Sequence, residues 1–567
     1  MKCQIKAKIF LFICYCLLSL LLGVLPVFMI NVRGAVIDSA LILGSGRFER
    51  NLILFVAISF MGFVGSAVCG RLLEHVNQAT SADIDISIIK KTKKLAYPVL
   101  DSPEFHSRFD KAKNASELVS SITSAIGRCL TDLATIVFTL LTLAFISAAS
   151  AIVLTIALSL YAFLVYYQGS KTENFWPRYR ERMKRANYLS SLLTRGEFAH
   201  ERKIFAYDEY IEKECQEELE RAEKDNCKIG AHRLCMELMM TIAAALYTSI
   251  VVLMLLSPLK NNMITLGSFI SLFYALQTLS KVSGDFCLNL FTIYTNSTWS
   301  KAYKDFMNLD EESGNKEITD IKTIEFRNVS FSYPGSDRLI LKDVSFKISP
   351  GGHYALVGEN GSGKSTIVKL LLGLYKPSGG QVCVDGINIS DLTLDKRRQL
   401  ICSVFQSVAH YPFSIRENVS LSQEEVLDDG KLLAIFEKLG CSTSFHDYDQ
   451  PLTQSNDQGA GLSGGEWQKL AISRALVSSA PFVIMDEPNA ALDPISEMEM
   501  YKSYVKILAE RTSLLITHRL GAVKDVDTIL VLKDGGIVAE GRHSFLMDSC
   551  SYYKALYDTQ RDFYVTK

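Results

Sequence analysis

No charged residue interrupts the chain from Leu133 to Ser170. As one helix this stretch would be about 57 Å long at 1.5 Å per residue, nearly twice the roughly 30 Å of bilayer hydrocarbon. It must therefore double back, and "SAAS" (Ser147–Ser150) is the place where small polar residues permit a turn. Such a run is the strongest single constraint on this chain, because uncharged apolar segments of that length are stable only inside lipid or a very large core. Others flank it. Ile9–Val32 follows Lys2, Lys6 and Lys8; Asn51–Gly70 sits between Arg50 and Arg71; Leu238–Leu259 and Asn261–Ser280 are parted by "SPLKNN". The first run is too long for a signal peptide, lacks a small-residue cleavage site and is followed by more of its kind.

These runs predict six membrane spans, at about residues 9–32, 51–70, 129–147, 150–170, 238–259 and 261–285. The N-terminal lysines, "KKTKK" (Lys90–Lys94) and "RYRERMKR" (Arg178–Arg185) fall on one side, which the excess of positive charge marks as cytoplasmic. Residues 71–128 and 171–237 then form cytosolic extensions far longer than ordinary loops. Arg180–Asp225 has no proline and only Gly196, so each extension is predicted to prolong two membrane helices into the cytosol around a short turn. Arg128 and Asp132, and the stripe Lys281, Asp285 and Asn289, are expected where helices leave the membrane, paired along their own helices, with the lining of a cavity as the other reading.

The second half has ordinary globular composition, and 567 residues exceed what one core supports. A net charge of −1 gives no bulk reason to expect a nucleic acid partner. The 13 cysteines show no CxxC pair, and several lie inside apolar runs, so they read as small buried hydrophobes rather than disulfides or metal ligands.

From about Ile321 short apolar strands alternate with glycine turns and amphipathic helices. "YALVG" predicts a strand, and "GENGSGKST" (Gly358, Glu359, Asn360, Gly361, Ser362, Gly363, Lys364, Ser365, Thr366) a phosphate-gripping loop that opens a helix. Its glycines let backbone N–H groups close on phosphates; Lys364 can reach the β and γ oxygens, and the Ser365 hydroxyl suits Mg²⁺. "FVIMDE" ends a strand on Asp486, a second Mg²⁺ candidate, and Glu487, placed to polarise an attacking water. Gln406 after "ICSVF" is assigned to Mg²⁺ and the reacting end, and His518 after "LLIT" to the γ-phosphate. Tyr333 in "FSYPG" can lay its ring on adenine. About a hundred residues after the first grip stands another glycine turn at a helix start, "LSGGE" (Leu462–Glu466).

The phosphate loop, Gln406, "LSGGE", Asp486–Glu487, "AALD" (Ala490–Asp493) and His518 resemble, in that order, the nucleotide-binding domain of ABC transporters. The six-span half resembles the transmembrane domain of ABC exporters, so the whole resembles a half-transporter: an all-α membrane domain over 1–305, a linker over 306–320, and an α/β P-loop ATPase domain with a helical subdomain over 321–567. The resemblance implies that Asp493 belongs to the ATP site. It also implies that Ser463, Gly464 and Gly465 meet the ATP held by a second copy, so that one chain cannot complete a site. Coupling segments are implied near Ser102–Arg108 and Ile204–Tyr210. Asp457 stands where exporters usually carry a Glu, and Glu466 where Gln is commoner. No site residue is degenerate, which implies a homodimer with two working sites in a plasma or inner membrane, the N-terminus and ATPase domain being cytoplasmic. "DSPEFHSRFDKA" and "TRGEFAHERKIFAYDEY" resemble loops of exporters for modified bacterial peptides, lantibiotics among them. The chain opens directly on its first span, without the N-terminal protease domain of some peptide exporters. ATP-driven peptide export is the leading expectation; a lipid or drug exporter, a siderophore-type importer or an ATP-gated channel would share the architecture.

Overall fold

The computed structural model describes residues 2–41, 47–173, 176–318, 321–421, 423, 425–441, 445, 447–452, 461–487, 511–518 and 520–565. The chain forms two compact units: Met1–Lys93 with His106–Asn308, and Lys94–Phe105 with Leu309–Lys567.

The first unit is helical. Its long elements are α1 (Lys2–Leu41) and α2 (Arg47–Lys94); after the short α3 (Tyr97–Leu100) and α4 (Glu104–Lys113) come α5 (Ala115–Ile146), α6 (Ala148–Glu173), α7 (Trp176–Thr194), α8 (Ala199–Phe205), α9 (Asp208–Lys260) and α10 (Leu266–Met307). Helix α5 stops because Ser147 is extended, at φ −154° and ψ 102°, and the Ser150 N–H and hydroxyl both donate to Ser147 Oγ. Apolar side chains cover the outside as well as the inside: Phe63 is 80 % exposed and Phe145 91 %. That inversion is sensible only where the surroundings are hydrocarbon. Among the described residues, four helical stretches are long and apolar enough to cross a membrane by length and composition: Ala7–Leu41, Arg47–Lys94, Glu104–Ile146 and Asp208–Lys260. The other two expected spans fall outside these four: α6 carries the apolar stretch Ala148–Leu164, and Gln277, Ser280, Lys281 and Asp285 dilute α10. They belong to the bundle through packing instead. Leu143, Leu154, Val251, Leu255 and Leu279 on α5, α6, α9 and α10 share one buried cluster. Helix α1 meets α5 at Gly23, where an added Cβ would come within 2.4 Å of the Thr131 carbonyl and the Thr135 hydroxyl donates to the Gly23 carbonyl at 2.9 Å. Small residues that let backbones touch, with hydroxyls bonding across, are how helices associate in lipid.

Asp132 accepts from Asn289 of α10 at 3.3 Å, so these polar groups pair between helices rather than along one. Arg128 and Asp132 also line an 830 Å³ cavity between α1, α2, α5 and α10.

The second unit holds two sheets. An antiparallel one has the order β2-β1-β4-β5, with β1 (Ile324–Phe331), β2 (Leu341–Ile348), β4 (Gly379–Val384) and β5 (Ile387–Asn388). The other runs β10-β9-β3-β8-β7-β6, with β3 (His353–Val357), β6 (Ile401–Val404), β7 (Phe482–Asp486), β8 (Thr512–Ile516), β9 (Thr528–Lys533) and β10 (Gly536–Gly541). Sequence pattern separates them. Strand β2 alternates buried and exposed residues, as a sheet wetted on one face does, whereas all five residues of β7 are buried. Strands β3, β8, β7 and β6 are parallel neighbours, so their C-terminal ends lie along one edge. The helices of this unit are α11 (Lys364–Leu371), α12 (Leu394–Leu400), α13 (Ile415–Ser420), α14 (Asp429–Lys438), α15 (Gly464–Val477), α16 (His543–Ser549) and α17 (Ser551–Val565). Helices α13, α14 and α15 surround their own apolar cluster. There Arg474 donates to the Asn418 side chain at 2.6 Å, and Asn418 donates in turn to three backbone carbonyls.

Candidate functional site

The parallel edge assembles the site. Strand β3 leads into the loop Gly358–Gly363 and α11, β7 ends on Asp486, β8 delivers His518 and β6 delivers Gln406. A cavity of about 680 Å³ opens there, lined among others by Tyr333, Lys364, Ser365, Gln406, Glu487 and His518. Arg338 and Ile340 join the lining, and no motif had singled them out.

The loop has the geometry of an anion cradle. Gly361 and Gly363 take φ of +81° and +110°, conformations costly for any residue with a Cβ, and a Cβ on Gly358 would meet the Leu532 carbonyl at 2.3 Å. The Lys364 ammonium, 7 % exposed, donates to the Gly358 and Glu359 carbonyls at 2.9 Å each, which draws it across the loop. Burial pulls its pKa down, opposed by the Glu487 and Asp486 carboxylates.

In a continuing strand Asp486 and Glu487 would point to opposite faces. They do not continue: Glu487 has φ +46°, left-handed and strained for a residue with a side chain, and its N–H is held by the Ile516 carbonyl at 2.9 Å. That turn brings its carboxylate into the cavity. One oxygen accepts from Gln406 Nε2 at 2.8 Å, and the other lies 3.1 Å from His518 Nδ1. Two residues that follow two strands, β6 and β8, thus fix the orientation of the carboxylate.

Asp486 is 6 % exposed, and burial first, then the neighbouring Glu487, push its pKa up to about 6, with Lys364 opposing. The sign for stability follows. A raised carboxyl pKa favours the folded state most at low pH, and that contribution disappears as pH rises through about 6. Asp486→Asn should therefore stabilise the nucleotide-free protein by about 3 kcal/mol at pH 8 and by about half of that at pH 5, where the unfolded carboxyl is ionised and the folded one is not. Thermal unfolding of the two proteins at both pH values measures this. Ser365 and Gln406 line the cavity and Asp486 lies buried at the end of β7; all three offer hard oxygen donors, the kind that Mg²⁺ takes.

Ser463, Gly464 and Gly465 are not among the residues lining this cavity. Ser463 is the N-cap of α15, and its hydroxyl and N–H both donate to the Glu466 carboxylate at 2.8 Å. Asp493 and Asp457 lie outside the described residues.

A nucleotide-triphosphate grip on a parallel α/β sheet, joined to a bundle of apolar helices, defines an ATP-binding membrane protein of multiple spans. Residues 341–490 match the family model described as ABC transporter. The subtilin transport ATP-binding protein SpaT of Bacillus subtilis is 27 % identical over 564 residues, 96 % of this chain and 90 % of its own. The nisin transport ATP-binding protein NisT of Lactococcus lactis is 26 % identical over 92 % and 89 %. A structure of a bacterial Atm1-family ABC exporter with ATP bound superposes with a TM-score of 0.82, covering 97 % of this chain and 98 % of that one at 20 % identity. Residues 341–490 are the ATP-hydrolysing domain of the ABC transporter family, and the chain that carries it has the fold of an ABC exporter.

Proposed function

We propose that two copies of this chain export a modified peptide across the plasma or inner membrane, driven by Mg·ATP hydrolysed at two sites shared between the copies. The observation that carries the cargo is the extent of likeness. It runs through 96 % and 92 % of the chain for the subtilin and nisin transport proteins, but through 41 % for the ATP-dependent lipid A-core flippase of Pseudomonas fluorescens and 62 % for that of Albidiferax ferrireducens, at 38 % and 33 % identity. The cargo test is ATP-dependent uptake into inside-out vesicles. A lanthionine-bearing precursor peptide should enter the lumen and stimulate ATPase activity; stimulation by lipid alone would favour a flippase.

In this reading the base lies against Tyr333 and the phosphates in the loop from Gly358 to Thr366. Ser365, Gln406 and Asp486 hold Mg²⁺, which neutralises phosphate charge. Glu487 takes the proton of the attacking water, and His518 faces the γ-phosphate. Asp493 completes the ATP site, while Ser463, Gly464 and Gly465 close on the partner's ATP. The cytoplasm holds the N-terminus and the ATPase domain. Ile204, Phe205 and Tyr210, each about 70 % exposed, form the apolar surface of the second coupling segment.

Glu466 has a consequence of its own. Its carboxylate already accepts the Ser463 hydroxyl, and its charge stands beside the place assigned to a phosphate. Glu466→Gln keeps the capping reach and removes the charge. The ATP concentration giving half-maximal dimerisation should fall roughly 2–5-fold, the size of one partly exposed charge interaction. Light scattering against ATP concentration measures it, and an unchanged or raised midpoint counts against phosphate binding at Ser463.

A further inference from the structure

Lys369 lies five residues beyond Lys364 on α11, about 140° further round the helix, so the two cations point to different places. Lys364 crosses the phosphate loop, whereas Lys369 stands among aromatic rings. Its Nζ is 5.2 Å from the centroid of Tyr333, 5.6 Å from Tyr375 and 5.9 Å from Tyr97. The rings also hold one another: Tyr333 meets Tyr375 edge-on at 5.4 Å, and Tyr375 meets Tyr97 edge-on at 5.6 Å. Asp101 closes the group, 3.5 Å from the Lys369 ammonium and accepting from the Tyr375 hydroxyl at 2.6 Å. Burial, and the Asp101 carboxylate beside it, push the Tyr375 phenol up, so it remains the donor.

Two parts of the chain far apart in sequence meet here. Tyr333 is half-buried, lines the nucleotide cavity and reaches the Thr366 hydroxyl at 3.2 Å. Tyr97 and Asp101 come from the short segment after α2, which is tied to the same unit by the Ala96 N–H on the Asp310 carbonyl at 3.0 Å and the Glu312 N–H on the Lys94 carbonyl at 3.0 Å. A lysine side chain is among the most costly to immobilise, and here it is fixed by three rings and a carboxylate.

We infer that Lys369 is a positioning residue for the nucleotide base: caged by Tyr97, Tyr333 and Tyr375 and anchored by Asp101, its ammonium sets the Tyr333 ring, and through Asp101 the segment Lys94–Phe105 responds to whether a base is stacked there. This rests on the base lying against Tyr333. Close-packed rings and a shared cation cannot shift singly, so a change at Tyr333 is passed to Tyr375 and Asp101.

The test compares ATP with inorganic tripolyphosphate, which has the phosphates and no base, by calorimetric binding to the full-length protein. Lys369→Met should weaken ATP roughly 3–10-fold, as loss of a desolvated cation–π site does, and leave tripolyphosphate unchanged. Lys369→Arg, which keeps cation and stacking, should restore ATP binding. In a Tyr333→Ala background Lys369→Met should add nothing. Amide exchange over residues 94–105 should slow with ATP but not with tripolyphosphate, and the slowing should vanish in Lys369→Met at saturating ATP. Equal weakening of both ligands would make Lys369 a phosphate-side charge and overturn the inference, as would no weakening of either. If Tyr333→Ala itself left ATP binding intact, the stacking would be absent and the inference would fall with it; ATP binding at the phosphate loop and peptide export would stand untouched by that result.

Discussion

Glu487→Gln should bind ATP as the natural chain does and hydrolyse it at least about 100-fold more slowly, the size of a lost general base. The amide keeps the shape of the side chain and can still accept from Gln406 Nε2, which lies 2.8 Å from the carboxylate. It cannot take a proton at neutral pH. The backbone should not move, because φ +46° at this position is held by the Glu487 N–H on Ile516 rather than by the side chain. Binding should survive because the phosphate grip is made by the loop of Gly358–Gly363 and Lys364, which do not depend on that carboxylate for position. Equilibrium ATP binding and steady-state phosphate release on the same preparation separate the two effects. Retained turnover would remove Glu487 from the base role and leave it as an orienting partner of His518.

Much of this site was legible before any coordinates. The glycine spacing of the phosphate loop needs a strand before it and a helix after it, and β3 and α11 supply them. Strand ends at Gln406, Asp486 and His518 could be assigned to one edge, since parallel sheets gather their ligands there. What sequence could not show was the left-handed turn at Glu487 that ends the strand and puts its carboxylate in the cavity, while Asp486 stays buried at the strand end. Nor could spacing reveal the Lys369 cage, whose members come from residues 97, 101, 333 and 375 and meet only through tertiary packing. Ala96 and Asp101, which precede the coupling segment expected near Ser102–Arg108, bond within the second unit, a link that no spacing in the sequence reveals. In the helical unit composition served α2 well and α10 poorly. A helix carrying Lys281 and Asp285 holds its place by packing Leu276 and Leu279 against α5, α6 and α9, which no hydropathy average records.

Two inactive chains should restore activity when mixed, if each ATP is held by one copy's phosphate loop and the other copy's glycine turn. Lys364→Ala removes the grip on the phosphates; Ser463→Arg fills the turn at the start of α15 with a bulky side chain and breaks the cap that Ser463 makes with Glu466. Each variant alone forms dimers in which both sites carry the same defect, and hydrolysis should be near zero. In a mixed dimer the two defects fall together in one site. The other site then has an intact loop from the Ser463→Arg chain and an intact turn from the Lys364→Ala chain. Random pairing of equal amounts makes half the dimers mixed, each with one good site of two, so recovery of about a quarter of the natural rate is the ceiling. Were each chain to close its own turn over its own loop, every site in the mixture would be defective and nothing would return. The cavity described above favours the shared arrangement: the loop, Gln406, Glu487 and His518 line it within one chain, while Ser463 is not among its lining residues and has its hydroxyl occupied by Glu466. Mixing must follow co-expression or exchange of subunits, and vanadate-trapped nucleotide counted per chain reports the good sites even where turnover needs both.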